Sequence, residues 1–429
     1  MTLATCGAAT KLQQVCLSIT DGKHGDCQAD EGSGYFFLSA KDVRNGKLNY
    51  DDARQITEVD FLDTHRRTRL EPFDILISNS GTIGRMAVAK EHELTPKTTF
   101  QKSVALLKPD KSQVVPAWLY YCLQAASERL IAFAGGTAQK NLLLRDLRAF
   151  EIKVVPLATQ RKIAGVLGAY DELIENNRRR IEILEEMARR LYREWFVQFR
   201  FPGHAHVPLT DSPLGKIPKG WEVKTLDDVC EFIVDSEHKT APTQSEGFPM
   251  IRTPNIGKGY LLLDAARRVS AETYNAWTRR AVPKEGDLIL AREAPVGNVG
   301  IVPKGERVCL GQRTVLLRAN KSQIDPHLLL QILLGDYCQN SFSGASSGAT
   351  VAHLNLLDIR RLPIPVPPKP FQSKFAPAFE SIDQQIANLF QRNCVLQTTR
   401  DLLLPRLISG ELDVSELPIE VEEAARDGE

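Results

Sequence analysis

Apolar residues follow two different periods along this chain, and the two periods alternate. Up to about residue 155 they form short β-type runs bounded by Gly, Asn and Pro, with one amphipathic segment at 117–133. From Gln160 to about Phe199 they recur every three or four positions, with no Gly or Pro after Gly168. The first pattern predicts strands with a helix, and the second predicts one long helix. The predicted strands are 35–38, 74–77, 86–89 and 103–107.

Both patterns occur a second time, about 212 residues further along the chain. Segment 106–116 reappears as 316–326, and Asp74 reappears as Asp287. Pro156 and Gln160 match Pro368 and Gln372, a shift of 372 − 160 = 212. A large unit repeated in tandem predicts two similar domains. The matching elements of the second copy are 250–251, 287–290, 299–302, 314–317 and a helix at 326–335. We therefore assign the α+β class, with mostly antiparallel sheets.

The two long helical segments have the apolar spacing of a coiled coil. The first series is Ile163, Leu167, Tyr170, Ile174, Asn177, Ile181, Leu184, Ala188, Leu191 and Trp195. The second is Phe375, Phe379, Ile382, Ile386, Leu389, Asn393, Leu396, Arg400, Leu403 and Leu407. We expect the helices to pack on each other, although each could instead pack only on its own domain.

Each series contains one Asn, and an antiparallel arrangement with matching centres brings the two together. Subtracting 212 places Asn393 at position 181, which faces Asn177 across a centre at 179. The same rule pairs Ile163 with Leu407 and Leu191 with Phe379. An Asn pair can hydrogen-bond and fix the register of the helices. The alternative is two separately solvated Asn side chains.

These patterns divide the chain into six segments. The predicted division is a first recognition domain at 1–155, a central helix at 156–200 and a Pro- and Gly-rich linker at 201–220. A second domain at 221–366, a distal helix at 367–411 and an acidic tail at 412–429 follow. The tail composition is typical of an extended or disordered segment.

Composition only loosely limits the class of protein to which the chain can belong. The 429 residues carry a formal net charge of +1 with a pI of about 7.6, which argues weakly against nucleic-acid binding unless basic residues are concentrated locally. Eight cysteines occur singly, so neither a zinc site nor a disulfide framework is indicated, and Cys16 and Cys230 are expected to be buried. Without a membrane-length apolar run or a signal peptide, the cytoplasm is the simplest expected compartment.

Catalytic motifs are missing from the sequence. It contains no Gly-x-x-x-x-Gly-Lys segment for a nucleotide triphosphate, no Gly-rich cofactor turn and no Asn-Pro-Pro-Tyr-like tetrapeptide of amino-methyltransferases. Asp74 with Lys90 or Lys97 could be fitted to a nuclease triad, but the recurrence of Asp74 as Asp287 favours a structural role. No metal site is expected, since Asp21 with His24 supplies only two ligands and suits a turn.

Polar loops between matched strands are the candidate DNA contacts. Segments 78–85 and 291–298 occupy equivalent places but differ in their polar residues, as two readers of different sequences would. An ordinary hairpin turn explains the glycines equally well. Two flexible segments, 135–141 and 346–353, offer further polar groups for phosphate. The candidates are Lys23, His24, Ser78, Asn79, Ser80, Thr82, Arg85, Gln101, Lys102, Gln139, Lys140, His238, Arg292, Asn298, Gln312, Arg313, Thr350 and His353.

Three segments and the duplication together resemble the specificity subunit of type I restriction–modification systems. The segments are Pro-Leu-Ala-Thr-Gln-Arg-Lys-Ile-Ala at 156–164, Leu-Gly-Lys-Ile-Pro-Lys-Gly-Trp-Glu at 214–222, and Leu-Ile-Ser-Gly-Glu-Leu at 407–412. The resemblance covers nearly the whole chain. It implies two tandem target-recognition domains separated by two long helices in an antiparallel coiled coil with pseudo-two-fold symmetry. Pro405 falls late in the second helix, where we expect it to break the helix.

The resemblance also implies the partners. Each domain would recognise one half of an interrupted double-stranded DNA site, and the helices would set the gap and bind two modification subunits. These carry S-adenosylmethionine, and two restriction subunits, which use ATP and Mg²⁺, then join; this chain itself is expected to bind no cofactor. Besides Asn177 and Asn393, the candidate docking residues are Arg178, Arg179 and Arg180, which could equally form a solvated face.

We therefore predict a non-catalytic DNA-recognition subunit. Two other classes remain open on sequence grounds: a stand-alone nuclease or methyltransferase, and a protein-interaction scaffold with no role on DNA.

Overall fold

The computed structural model describes residues 7–135, 141–237, 239–345 and 353–418. The chain forms two compact units: the first comprises residues 1–174 and 396–429, and the second comprises residues 175–395. Each unit contains one mixed domain and a part of both long helices.

The first domain contains eleven short strands and five helices within its described residues. Its strands are β1 (Ala8–Lys11), β2 (Cys16–Asp21), β3 (Phe36–Leu38), β4 (Val43–Arg44), β5 (Lys47–Leu48), β6 (Arg54–Gln55), β7 (Ile75–Ser78), β8 (Met86–Val88), β9 (Thr98–Phe100), β10 (Val104–Pro109) and β11 (Glu151–Val154). Its helices are α1 (Leu12–Val15), α2 (Glu58–Thr68), α3 (Pro116–Ala125), α4 (Ser127–Phe133) and α5 (Leu144–Ala149). The first long helix, α6 (Leu157–Tyr192), follows and ends in a π-helical turn, Arg193–Val197.

The second domain repeats this order after a β-hairpin. Its strands are β12 (Leu209–Ser212), β13 (Gly215–Pro218), β14 (Glu222–Thr225), β15 (Cys230–Asp235), β16 (Phe248–Ile251), β17 (Arg267–Val269), β18 (Leu288–Ala291), β19 (Val299–Ile301), β20 (Cys309–Leu310), β21 (Thr314–Ala319) and β22 (Pro363–Val366). Its helices are α7 (Leu226–Val229), α8 (Ala271–Trp277), α9 (Pro326–Leu334), α10 (Asp336–Ala345) and α11 (Leu356–Arg361), and the second long helix is α12 (Lys369–Ser409).

Sheet topology confirms the duplication. The main sheet has strand order β2-β10-β7-β8 in the first domain and β15-β21-β18-β19 in the second, and every neighbouring pair is antiparallel. A smaller sheet, β6-β3-β9 or β17-β16-β20, contains one parallel pair in each domain. The predicted mostly antiparallel α+β fold is therefore correct.

The main sheet is buried on both faces, which explains why its strands are apolar runs rather than alternating ones. Ile75 and Leu107 face the core that contains α3, whereas Leu76 and Leu106 face a second core beside β3 and β9. The second domain divides its strand residues in the same way. The predicted helix at 117–133 is interrupted at Ala126, where α3 ends and α4 follows.

The long helices pack on each other in both units. In the first unit, the start of α6 and the end of α12 share one core that contains Ile163 and Leu407. In the second unit, the end of α6 and the start of α12 share another, where Trp195 lies 4.9 Å from Phe375 between ring centroids. Such aromatic pairs add stabilisation beyond their buried area. These contacts make the helices antiparallel, as the resemblance implies.

The predicted break at Pro405 is wrong, because α12 continues to Ser409. Proline removes one backbone hydrogen bond and crowds the preceding turn. Here Leu407 is only 1% exposed, and Leu403 and Leu404 pack against the same core. Burial of these leucines holds the last turns of the helix in place despite the proline.

Two segments outside the predicted domains are also packed. Within 201–220, Phe201 and Ile217 are buried, and β12 and β13 form a hairpin around Pro213 and Leu214. Pro and Gly in this segment therefore serve a turn rather than a free linker. At the start of the acidic tail, Val414 is buried in the core of the first unit; residues 419–429 lie outside the described part of the chain.

Candidate nucleic-acid interface

One edge of each main sheet gathers the polar loops that the sequence singles out. In the first domain β2 and β7 end at this edge and β10 begins there, because neighbouring strands are antiparallel. Backbone hydrogen bonds join the loops: the Asn79 amide donates to Ser103 O at 2.9 Å, and the Lys23 amide donates to Phe100 O at 2.8 Å. We call this set of loops, residues 21–24, 78–85 and 101–103, the first loop edge.

The second domain builds the same edge from residues 235–237, 291–298 and 311–314, the second loop edge. The Leu354 amide donates to Arg292 O at 3.0 Å, as the Leu142 amide donates to Asn79 O at 2.8 Å in the first domain. The main-chain frame of the two edges is thus shared, and their side chains differ.

Exposed polar side chains are present on the first loop edge. His24, Thr82, Arg85 and Lys102 are exposed, and Ser80 and Gln101 are half-buried. Within the described residues the guanidinium of Arg85 and the ammonium of Lys102 have no hydrogen-bond or ion-pair partner. Both cations can therefore meet a phosphate or a base without breaking an internal contact.

Ser78 and Asn79 lie deeper than the sequence predicts. Ser78 is fully buried, and its hydroxyl donates to Thr82 O and accepts from the Arg85 amide at 2.9 Å. It therefore closes the turn, which argues against a DNA contact for this residue. Asn79 is 7% exposed, which leaves little of it at the surface.

Lys23 and His24 each contact a carboxylate within the domain. The Lys23 ammonium lies 2.7 Å from Asp60 and 3.3 Å from Asp63, and its hydrogen bond to Asp60 raises its pKa. His24 Nε2 lies 3.0 Å from Asp21 Oδ2, a contact between two side chains at the end of β2. Because Asp60 and Asp63 neutralise Lys23, its expected phosphate contact is not supported by this arrangement.

A connected group of charged side chains occupies the second loop edge. Arg292 is only 7% exposed; its Nε donates to Leu354 O at 2.8 Å and its Nη2 to His353 Nε2 at 2.8 Å. His353 Nδ1 donates to Glu293 Oε1 at 2.6 Å, and Arg313 lies 2.8 Å from Glu293 Oε2. The expected role of Arg292 as a base reader is therefore not supported, because its guanidinium is engaged by the loop itself.

The other candidate residues of this edge are either hydrogen-bonded within the domain or exposed to solvent. Asn298 Nδ2 donates to Ile256 O at 2.9 Å, so this amide supports its turn. Gln312 and Arg313 are exposed, with Gln312 Nε2 at 3.5 Å from Thr240 Oγ1. The His353 side chain is 44% exposed, so it and Arg313 present the positive and polar surface here. Gln139, Lys140, His238 and Thr350 lie outside the described residues.

Sequence reasoning missed one matched pair of arginines. Arg67 Nη2 donates to Asp21 O at 3.0 Å, and Arg280 Nη1 lies 2.8 Å from Asp235 Oδ1. Arg67 lies in the last turn of α2 and Arg280 shortly after α8, at a shift of 280 − 67 = 213. The repeated Arg-Arg pairs at 66–67 and 279–280 were the available signal.

The duplicated carboxylate that could be fitted to a nuclease is structural. Asp74 is 4% exposed and lies 2.7 Å from Lys108, and its counterpart Asp287 makes two contacts with Arg318, of 2.8 and 2.6 Å. Burial raises the pKa of Asp74. No group of three metal-binding side chains occurs among the described residues, and the helices of that part include none long and apolar enough to span a membrane.

The predicted asparagine pair is present in the helices. Asn177 Nδ2 donates to Asn393 Oδ1 at 2.8 Å, and Asn393 is 5% exposed. This confirms the antiparallel register derived from the shift of 212. Arg178, Arg179 and Arg180 are exposed beside it. The buried thiols are also confirmed, since Cys16 and Cys230 are each 8% exposed, and this burial raises the pKa of each thiol to about 12.

Comparison with known proteins agrees with this duplicated architecture. The family model of the type I restriction modification DNA specificity domain matches twice, at residues 12–186 and 218–397. The chain therefore belongs to this family of specificity proteins.

Individual relatives support the same assignment along most of the chain. The type I restriction enzyme MjaIX specificity subunit of Methanocaldococcus jannaschii is 30% identical, over 80% of this chain and 78% of the relative. The HindI specificity subunit of Haemophilus influenzae is 20% identical over 88% and 94%. A solved S subunit of a type I restriction–modification system from M. genitalium has a TM-score of 0.58 at 16% identity, covering 95% and 98%, which supports the fold. A stand-alone nuclease or methyltransferase is not favoured.

Proposed function

We propose that this chain is the DNA-recognition subunit of a type I restriction–modification complex and that each domain recognises one half of an interrupted duplex site. The observation that carries the proposal is the pair of loop edges. Their main-chain frames match, whereas position 85 is an exposed Arg in one and its counterpart 298 is a half-buried Asn in the other. A shared frame with different polar groups suits two half-sites of different sequence.

The exposed cations of the loop edges are suited to the DNA backbone and base edges. Arg85 and Lys102 in the first domain and Arg313 in the second are exposed despite a chain net charge of only +1. Arginine can bind guanine through two hydrogen bonds, and both residue types bind phosphate. Local placement of charge, rather than overall charge, thus supports DNA binding.

We assign the partners by the same reasoning. The long helices fix the gap between half-sites, and two modification subunits that carry S-adenosylmethionine dock on their outer surface. Two restriction subunits, which use ATP and Mg²⁺, complete the complex. Arg178, Arg179 and Arg180, exposed beside the Asn177 contact, are the candidate docking surface.

A salt series with the purified chain tests DNA binding. Binding to a random duplex in a gel-shift assay should weaken linearly on a logarithmic salt scale, since cations of the protein replace counterions on phosphate. The Arg85→Ala, Lys102→Ala variant should reduce the slope by about two, and Lys153→Ala, at an exposed residue of strand β11, is the control. Binding that is independent of salt, or absent, contradicts the proposal and favours a protein scaffold.

Charge reversal tests docking. Changing Arg178, Arg179 and Arg180 to Glu should abolish co-purification with a co-expressed type I modification subunit, while the unfolding midpoint changes little because all three are exposed. Arg189→Glu with Arg190→Glu, which alters another exposed basic pair of the same helix, is the matched control. Unchanged co-purification of the first variant contradicts the docking assignment.

A further inference from the structure

Each long helix is attached to its own domain by a buried glutamine. Gln160 Oε1 accepts from the Val115 amide at 2.8 Å, and its Nε2 donates to Val155 O at 2.7 Å. Gln372 repeats this, accepting from the Asp325 amide at 2.9 Å and donating to Pro367 O at 2.8 Å. Both side chains are nearly inaccessible, at 0% and 2% exposure. In each domain this contact lies at the start of the helix that covers the main sheet, α3 or α9.

An aspartate lies eleven residues further along each long helix, which is about three turns, so it faces the same side as the glutamine. Tyr121 of α3 donates its hydroxyl to Asp171 Oδ2 at 2.7 Å. His327 of α9 donates its Nδ1 proton to Asp383 Oδ2 at 2.7 Å, and Gln331 Nε2 lies 3.4 Å from Asp383 Oδ1. Each domain is therefore held to its helix at two points along α3 or α9.

The hydrophobic core connects α3 and α9, which carry these attachments, to the main sheets and their loop edges. Trp118 and Leu119 of α3 are buried in one cluster with Ile75 and Leu107 of the main sheet, and Leu328 and Leu329 of α9 pack in the same way in the second domain. A shift of α3 or α9 on its long helix would therefore move the sheet and its loops with it.

The cation that faces the aspartate differs between the two units. In the first unit Arg400 of α12 lies 2.5 Å from Asp171. By the 212-residue shift its counterpart on α6 is Ala188, which is buried and uncharged. In the second unit the facing cation is instead His327 of the domain itself.

We propose that Asp171 and Asp383 are positioning residues that orient each recognition domain on its long helix, and that protonation of His327 controls this attachment in the second domain only. The proposal rests on the proposed function: the orientation of each domain on its helix matters because the loop edges of that domain recognise DNA. Asp171 needs no titratable partner near neutral pH, because Arg400 is always charged.

The charged groups around His327 fix the direction of its response. Asp383 and Glu380 face it from α12, and Asp325 faces it from the start of α9. Burial by itself lowers the pKa of His327, but its hydrogen bond to Asp383 and these three carboxylates outweigh burial and raise the pKa above its ordinary value. A raised pKa means that the stabilisation from the imidazolium charge is fully present below about pH 6.5 and is lost as pH rises through the folded pKa, whereas neutral imidazole can still donate its Nδ1 proton to Asp383.

The unfolding of the full chain by urea at about pH 5.5 and about pH 8.5 tests the attachment without DNA. His327→Gln keeps a donor for Asp383 but does not titrate. It should be less stable than wild type at the lower pH and equal to it at the higher pH, whereas Tyr121→Phe should show the same deficit at both. A His327→Gln deficit that is the same at both pH values overturns the proposal, because a merely structural contact would give that result.

Selection from a random duplex library at the same two pH values tests the consequence for recognition. Wild type should enrich a two-part motif, and at the higher pH its preference for one half should fall about tenfold, the weakening expected when the hydrogen bond to Asp383 loses the charge of its donor. His327→Gln should remove this pH dependence and leave the other half unchanged. An equal fall in both halves overturns the inference. If neither pH enriches a motif, the proposed function fails, and the unfolding comparison still decides the attachment.

Discussion

The two loop edges share one main-chain frame, but their charged side chains are arranged differently. On the first edge, Arg85 and Lys102 are exposed and no other described side chain binds their charged groups. On the second edge, Glu293 binds both Arg313 and His353, and His353 binds Arg292. The difference shows that the duplicated apolar framework does not dictate the chemistry of the loops. One edge presents separate groups to a ligand, whereas the other presents a connected surface.

We expect the largest loss of stability when the cation that pairs with the buried carboxylate of each domain is replaced. Lys108→Met and Arg318→Met each leave an unpaired carboxylate, Asp74 or Asp287, that is at most 4% exposed. Each change should lower the free energy of unfolding by about 3 kcal/mol, with Arg318→Met the larger because Arg318 makes two contacts. Urea unfolding measures this. Lys153→Met, on an exposed residue, should change stability by less than about 0.5 kcal/mol. A similarly small effect of Lys108→Met would show that the pair is not part of the framework.

Removing the glutamine attachments should have a somewhat smaller effect, equal in both units. Gln160→Leu and Gln372→Leu leave a backbone amide and carbonyl groups without their buried partner. Each should cost about 2 kcal/mol in the unfolding of its own unit. Gln113→Leu, at an exposed side chain bonded to Asp110, provides the control. Clearly unequal losses for the two glutamines would contradict their equivalence.

The asparagine contact gives the smallest of these stability changes and a test of register. Asn177→Leu removes one hydrogen-bond partner of the buried Asn393 amide and should cost about 1 kcal/mol. The double change, Asn177→Leu with Asn393→Leu, should recover that loss, since apolar residues suit a coiled-coil seam. A double-mutant cycle in urea measures the coupling, and two additive losses would mean that the asparagines act independently.

Much of the framework could be derived from the sequence because apolar burial is repetitive. The shift of 212, together with antiparallel helices crossing at matching centres, placed Asn393 opposite Asn177, and short apolar runs indicated the strands of the main sheets. The predicted helix break at Pro405 is wrong because helix propensity takes no account of the burial of Leu407. The DNA contacts predicted for Ser78 and Arg292 are not supported for another reason. A polar side chain in a loop looks the same in sequence whether it faces solvent or satisfies its own backbone.

The most direct test of separate recognition by the two domains compares motifs selected from a random duplex library by wild type, Arg85→Ala and Arg313→Ala. The two arginines are exposed on different loop edges, and one base-specific contact contributes about 1–3 kcal/mol of discrimination. Arg85→Ala should relax one half of the motif and Arg313→Ala the other, with the gap unchanged. If either substitution relaxes both halves equally, the two domains do not recognise separate half-sites.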